Sequence, residues 1–181
     1  MRLFVAVPLP PDVQERLAML RFGLPGARWS EPRNMHVTLR FIGEVDRGEA
    51  EDIAGALHEI EAPAFALAFN EVGHFDRGRE VHTLWAGIPR CDALFYLHDK
   101  IESAVVRLGH GPERRKFKPH VTLARLKSTP VSRLGAWLGS YGGFSTASFP
   151  VERFTLFESF TKNEGPHYEA LVDYPLKNGG A

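Results

Sequence analysis

The sequence predicts two similar lobes of mixed strand and helix, facing each other across a groove. Two observations carry this. The tetrapeptide His36-Val37-Thr38-Leu39 recurs letter for letter as His120-Val121-Thr122-Leu123. The order of elements around it recurs as well: strand, helix, His-Val-Thr-Leu strand, helix, strand, once from Arg2 and again from Val81. An internal duplication of this kind gives lobes related by a pseudo-two-fold axis, and such an axis presents the two motifs to each other.

Taken in order, Arg2 to Val7 reads as a short buried strand. Pro10-Pro11 ends it and opens a helix, because proline suits a first helical turn. Val13, Leu17, Leu20 and Leu24 give that helix an apolar stripe, and Pro25-Gly26 stops it. His36 to Ile42 is the first motif strand, closed by Gly43. Asp46 with Glu49 resembles a capping box, and the helix behind it buries Ile53, Leu57 and Ile60 before Pro63. Phe65 to Phe75 reads as one strand, with Phe65, Leu67 and Phe69 in alternation. Asp76-Arg77-Gly78-Arg79 is a turn, and Val81 to Ile88 returns as the second arm of a hairpin.

Asp92 caps a periodic helix with Leu94, Leu97, Ile101, Val105 and Leu108 inward, ended by Gly109 and Gly111. A charged loop, Glu113 to Lys118, leads to the second motif strand, Pro119 to Leu126. Thr129 is a cap with Pro130 at the first helical position of a helix lined by Leu134, Trp137, Leu138 and Tyr141. Phe149 to Phe157 and Tyr168 to Leu176 are the last strands. Residues 1–176 are thus expected to form a single bilobal domain, and 177–181, polar and small, a fraying tail.

Composition bounds the function. The chain is 44% apolar and 24% charged, as globular domains are. Its net charge is zero, so any anionic polymer must be held by a local patch rather than a global field. The lone Cys91 has no partner for an internal disulfide, which fits a reducing compartment. The apolar run Leu3–Leu9 is short for a signal-peptide core, and no run approaches the ~18 apolar residues of a membrane span. A soluble, cytoplasmic, monomeric protein is the expectation.

In an extended strand, residues i and i+2 share a face. Each copy of the motif therefore sets an imidazole beside a hydroxyl, with Val and Leu turned into a core. A random chain with 8 His and 7 Thr would hold about 0.3 His-x-Thr pairs, so two copies sharing all four letters are far beyond chance. Near neutral pH one His can be neutral and its partner charged, which supplies a general base and a general acid together. Thr38 and Thr122 can hydrogen-bond the free oxygens of a phosphate. Strict alternation points Arg40, four residues after His36, into the same groove. Arg125, five after His120, faces away by that count unless a bulge redirects it. The run Arg114-Arg115-Lys116-Phe117-Lys118 offers a basic loop with one aromatic that could grip a nucleic-acid backbone and stack a base.

Rival chemistries find little support. There is no Cys cluster, no His-Glu-x-x-His and no carboxylate beside either motif, and the remaining histidines (58, 74, 82, 98, 110 and 167) lack ligand spacing, so no metal and no cofactor are expected. Gly-x-Ser-x-Gly and Gly-rich phosphate loops are missing too.

Paired His-x-Thr-x motifs resemble the signature of the two-histidine (2H) phosphoesterases. Arg2-Leu-Phe-Val-Ala-Val7, Trp29, His36-Val-Thr-Leu-Arg-Phe-Ile-Gly43, Pro119-His-Val-Thr-Leu-Ala-Arg125 and Phe154-Thr-Leu-Phe-Glu-Ser159 narrow the resemblance to the bacterial and archaeal RNA 2′,3′-cyclic phosphodiesterases, also called 2′-5′ RNA ligases. It runs from residue 2 to about 176. It implies an α+β fold of two pseudo-symmetric lobes, each an antiparallel sheet with helices on its outer face. It implies metal-free hydrolysis of a terminal 2′,3′-cyclic phosphate to a 2′-phosphate, on RNA ends, tRNA fragments or small cyclic nucleotides. By this resemblance His36 is the acid for the departing 3′-oxygen, His120 the base for water, Thr38 and Thr122 hold phosphate oxygens, and Arg125 contacts the phosphate. Arg125 and Arg40 thus compete for that role. Two alternatives stay open: 2′-5′ ligation by the reverse chemistry, and a module that binds cyclic-phosphate RNA ends without turnover.

Overall fold

A computed structural model describes residues 1–178. Its core is two four-stranded antiparallel sheets, and the α+β bilobal expectation holds. The strands and helices are β1 (Arg2–Pro8), α1 (Pro11–Ala18), β2 (Ala27–Trp29), β3 (His36–Glu44), α2 (Arg47–His58), β4 (Phe65–Leu67), β5 (Glu71–Arg77), β6 (Glu80–Gly87), α3 (Asp92–Arg107), β7 (His120–Leu126), α4 (Val131–Tyr141), β8 (Phe149–Val151), β9 (Arg153–Lys162) and β10 (Gly165–Pro175). The first sheet runs β10-β9-β1-β3 and the second β2-β7-β6-β5.

The duplication is real in the topology: β1-α1-β3-α2-β4-β5 is matched by β6-α3-β7-α4-β8-β9. The lobes do not, however, divide at the middle of the chain. The last strand of each half joins the sheet begun by the other half, since β5 pairs with β6 and β9 pairs with β1. Between these crossings β4 and β8 pair with each other, with Ala66 opposite Pro150 at the centre of the ladder. This is why Phe65–Phe75 and Phe149–Phe157, each expected as one strand, are each two. The chain must leave the β4–β8 ladder before it enters a four-stranded sheet. At the first crossing Phe69 is fully buried, and its backbone exchanges hydrogen bonds with the Thr146 hydroxyl (3.0 Å) and N–H (2.9 Å).

The helices dock their apolar stripes on a single continuous core. Val13 and Leu17 of α1, Ile53 and Leu57 of α2, Leu94, Leu97 and Ile101 of α3, and Leu134 and Trp137 of α4 join it. β1 is buried from Leu3 to Val7, as a central strand must be. The capping box forms: Asp46 accepts from the Glu49 N–H at 2.9 Å, and Glu49 accepts from the Asp46 N–H at 2.8 Å.

Other expectations shift. Asp92 is the first helical residue of α3, with Cys91 at the cap. Thr129 does not cap α4, whose cap position is Pro130; its hydroxyl donates instead to the Pro25 carbonyl at 2.8 Å. β2, for which the sequence pattern gives no strand, pairs along β7. Lys177, placed in the fraying tail, is held. Its N–H donates to the Ala62 carbonyl (2.9 Å), its carbonyl accepts from Ala64 (2.7 Å), and its ammonium lies 2.8 Å from Glu61. Residues 179–181 of that expected tail lie outside the described residues. No helix among those described is long and apolar enough to cross a membrane.

Candidate active site

The pairing register fixes which side chains face the cleft. On β3, His36, Thr38 and Phe41 lie opposite Pro8, Ala6 and Phe4 of β1. These partners are two apart, so they share a face, and their opposites share it too. Leu39 has no partner: a bulge absorbs it and reverses the alternation beyond it. On β7, His120, Thr122 and Arg125 lie opposite Gly87, Trp85 and Thr83 of β6, and a bulge absorbs Leu123 at the same step of the motif. Arg125 therefore stands on the face of His120 and Thr122. Phe41 takes the matching place in the first lobe, 59% exposed. The sequence carried a signal for Phe41 that strict alternation hid, because it sits five residues after His36 as Arg125 sits five after His120.

Both imidazoles are fixed by the same device. Nδ1 of His36 lies 2.7 Å from the Asn34 carbonyl, and Nδ1 of His120 lies 2.6 Å from the Lys118 carbonyl. A carbonyl only accepts, so Nδ1 carries the hydrogen in each neutral ring and the lone pair is left on Nε2. Asn34 belongs to a single 3-10 turn, Pro32–Asn34, tied to β10 by its side-chain amide, which donates to the Pro166 carbonyl at 2.9 Å.

The surroundings differ. His36 sits among Phe4 (4.9 Å between ring centres), Tyr168 (5.2 Å, edge-on) and Phe157 (6.1 Å). This burial pulls its pKa down to about 4; the Asn34 carbonyl offsets part of the effect, and the His120 charge adds to it. His120 packs against the edge of Phe75 at 4.9 Å. Its pKa is lowered too, first by burial and then by the Arg125 and Lys118 charges, against the Lys118 carbonyl. Burial raises the Tyr168 phenol, while Arg125 and Arg2 pull it back. Arg125 of the second lobe thus acts on a β10 residue of the first.

A cavity of about 870 Å³ opens between the lobes, lined by Thr38 and Phe41 from β3 and by His120 and Arg125 from β7. Arg125 is steadied by the buried Thr83 hydroxyl, to which it donates at 2.8 Å. Arg40 has a different place from the one alternation gave it. The bulge sets it opposite Val5, on the core side of β3, and it is 7% exposed. Its guanidinium lies 2.6 Å from Glu102 and 3.7 Å from Glu113, and donates to the Gly111 carbonyl. At the cavity rim it is committed to carboxylates, and Arg125 is the motif arginine left for a ligand. Phe117, the aromatic of the basic loop, is flat against His98 at 4.0 Å and edge-on to Phe95 at 5.1 Å, so it anchors the loop. Among the described residues no three His, Cys, Asp or Glu side chains cluster as metal ligands would.

Known proteins share this fold. The model of the family described as LigT like Phosphoesterase matches residues 7–85 and again 87–168, one match to each half of the duplication. The RNA 2′,3′-cyclic phosphodiesterase of Aeropyrum pernix is 32% identical over 172 residues, covering 91% of this chain and 97% of its own. TT0787 of Thermus thermophilus superposes with a TM-score of 0.83 at 26% identity, over 99% of this chain and 100% of its own. E. coli LigT, crystallised with 3′-AMP, superposes with a TM-score of 0.80 at 26% identity, over 97% of each chain. Two matched halves, each centred on one bulged His-Val-Thr-Leu strand, place this chain in the LigT-like phosphoesterase family.

Proposed function

We propose that this protein hydrolyses 2′,3′-cyclic phosphate ends of RNA or nucleotides to 2′-phosphates, without a metal, through His36 and His120. The observation that carries the reading is the matched pair of imidazoles on two equivalent bulged strands, each with Nδ1 tied to a backbone carbonyl and Nε2 left free, and with Arg125 on the face of the second. His120 takes a proton from water as the water oxygen attacks phosphorus. The P–O3′ bond breaks in line, and His36, protonated, gives its proton to the departing 3′-oxygen. Thr38, Thr122 and Arg125 hold the free phosphate oxygens as negative charge moves onto them.

The electrostatics suit these roles. Burial first, and then the Arg125 and Lys118 charges, lower the His120 pKa and favour the neutral form that a base needs. His36 is neutral in the free protein, and a phosphate anion beside it supplies the charge that stabilises its protonated form. Phe41, exposed on the same face, offers a flat surface for the base of the terminal nucleotide. The relatives named RNA 2′,3′-cyclic phosphodiesterases support the substrate class.

The test is incubation with a 2′,3′-cyclic nucleotide in excess EDTA, with 2′- and 3′-phosphate products resolved. A 2′-phosphate is expected, and His36→Ala and His120→Ala should each lose roughly 10²–10⁴ in rate. A 3′-phosphate product, or wild-type rates in both variants, overturns the proposal.

A further inference from the structure

The cleft is larger and more basic than one nucleoside cyclic phosphate requires. Its 870 Å³ lies near the top of the ~300–1,000 Å³ range that drug-sized ligands fill. Beyond His120 and Arg125 the lining continues onto two walls. One is the β5–β6 hairpin, with Phe75, Arg77 and His82; the other is the loop before β7, with Arg115, Lys116 and Lys118. None of Arg77, Arg115 or Lys116 has a carboxylate partner among the described residues. Lys118 rests over the Trp85 ring at 4.4 Å, beside His120.

The loop is built to hold these cations in place. Glu113 accepts from the backbone N–H groups of Arg114 (3.0 Å) and Arg115 (3.4 Å), while its own N–H donates to Glu102 at 2.8 Å. Arg40 clasps both glutamates from β3. Phe117 pins the far end against His98. Positive charges on a pre-ordered loop bind an anion without the cost of ordering the loop first.

We infer that the hairpin and this loop form a second phosphate subsite, between Arg77 and Arg115-Lys116, that takes the phosphate on the 5′ side of the terminal nucleotide. The inference rests on the proposed cyclic-phosphate hydrolysis. It makes the preferred substrate a dinucleotide or longer end rather than a free cyclic mononucleotide. The shared chemistry is a 5′-phosphate, whether an internucleotide diester or a terminal monoester.

The experiment compares kcat/KM for three substrates with the same terminal 2′,3′-cyclic phosphate: a mononucleotide with a 5′-hydroxyl, the same mononucleotide with a 5′-phosphate, and a dinucleotide. At low salt both phosphate-bearing substrates should exceed the first by about tenfold, mostly through KM, and added salt should erode the gain with a log–log slope of about −0.7 per phosphate. The double variant Arg77→Gln/Lys116→Gln should remove the gain and leave the 5′-hydroxyl mononucleotide within about twofold of wild type. Equal kcat/KM for all three substrates overturns the subsite while the hydrolytic reading stands. So does a gain confined to the dinucleotide and indifferent to the double variant, which would belong to its second base. Hydrolysis of none of the three sinks the functional reading itself.

Discussion

His36 is held neutral by an aromatic setting, and two consequences follow at the scale of that one side chain. Its pKa is about 4 in the folded protein and near 6.5 in the unfolded chain. Between those values the unfolded chain takes up a proton that the folded one refuses, so falling pH favours unfolding. Stability from this group is complete above the unfolded value and declines toward pH 4, by on the order of 3 kcal/mol in all. Urea midpoints should fall across that window, and His36→Asn should flatten the slope; an unchanged slope would mean the ring is not desolvated. The second consequence concerns binding. In an inactive His120→Asn variant near pH 7, a 2′,3′-cyclic nucleotide has no proton of its own to exchange. An opposite charge raises such a pKa by about 1–3, so calorimetry in buffers of different ionisation enthalpy should report partial proton uptake per ligand that grows as the pH is lowered from about 7 toward about 5.5. Zero uptake contradicts His36 as the acid.

The two motif strands show where sequence reading reaches and where it stops. His36, Thr38, His120 and Thr122 were legible because the three residues that open each motif strand are regular and precede its bulge. Arg40 was misplaced, and Arg125 was reached only through the family resemblance, because one unpaired leucine in each strand inverts the faces that follow it and nothing in Leu39 or Leu123 announces the bulge. The helices were legible from their stripes, but their ends moved by a residue or more wherever a proline or a backbone contact decided the cap. The corrected place of Arg40 makes its own prediction. Arg40→Met should leave Glu102 half-buried without its cation and lower the unfolding free energy by about 2–3 kcal/mol, while turnover of a cyclic mononucleotide persists. An arginine that contacted phosphate would give the opposite result: lost turnover and near-normal urea stability.

At the scale of the whole chain, the duplication and the β5–β6 hairpin were visible, but the interlacing was not, since its other half pairs β1 with β9, Leu3 with Glu158, across most of the chain. Phe154 and Leu156 of β9, fully buried, complete the sheet that β1 and β3 begin. A chain severed between Gly78 and Arg79 should therefore yield two pieces that show no cooperative thermal transition alone. Mixed together they should regain one, followed by circular dichroism. Independent melting of either piece would show that the lobes are separable domains.

The short β4–β8 ladder then governs how a ligand comes and goes. Many enzymes that bury a reacting phosphate close a flap over it and wait for the flap to lift. Here the chain crosses between the sheets on its way from β4 into β5 and from β8 into β9, and the β4–β8 ladder ties these crossings together. Sheets laced in this way are expected to bind without closing: fluorophores placed on β3 and on β6 should keep their separation when a cyclic nucleotide is added, and a shortened separation would show a flap-like motion.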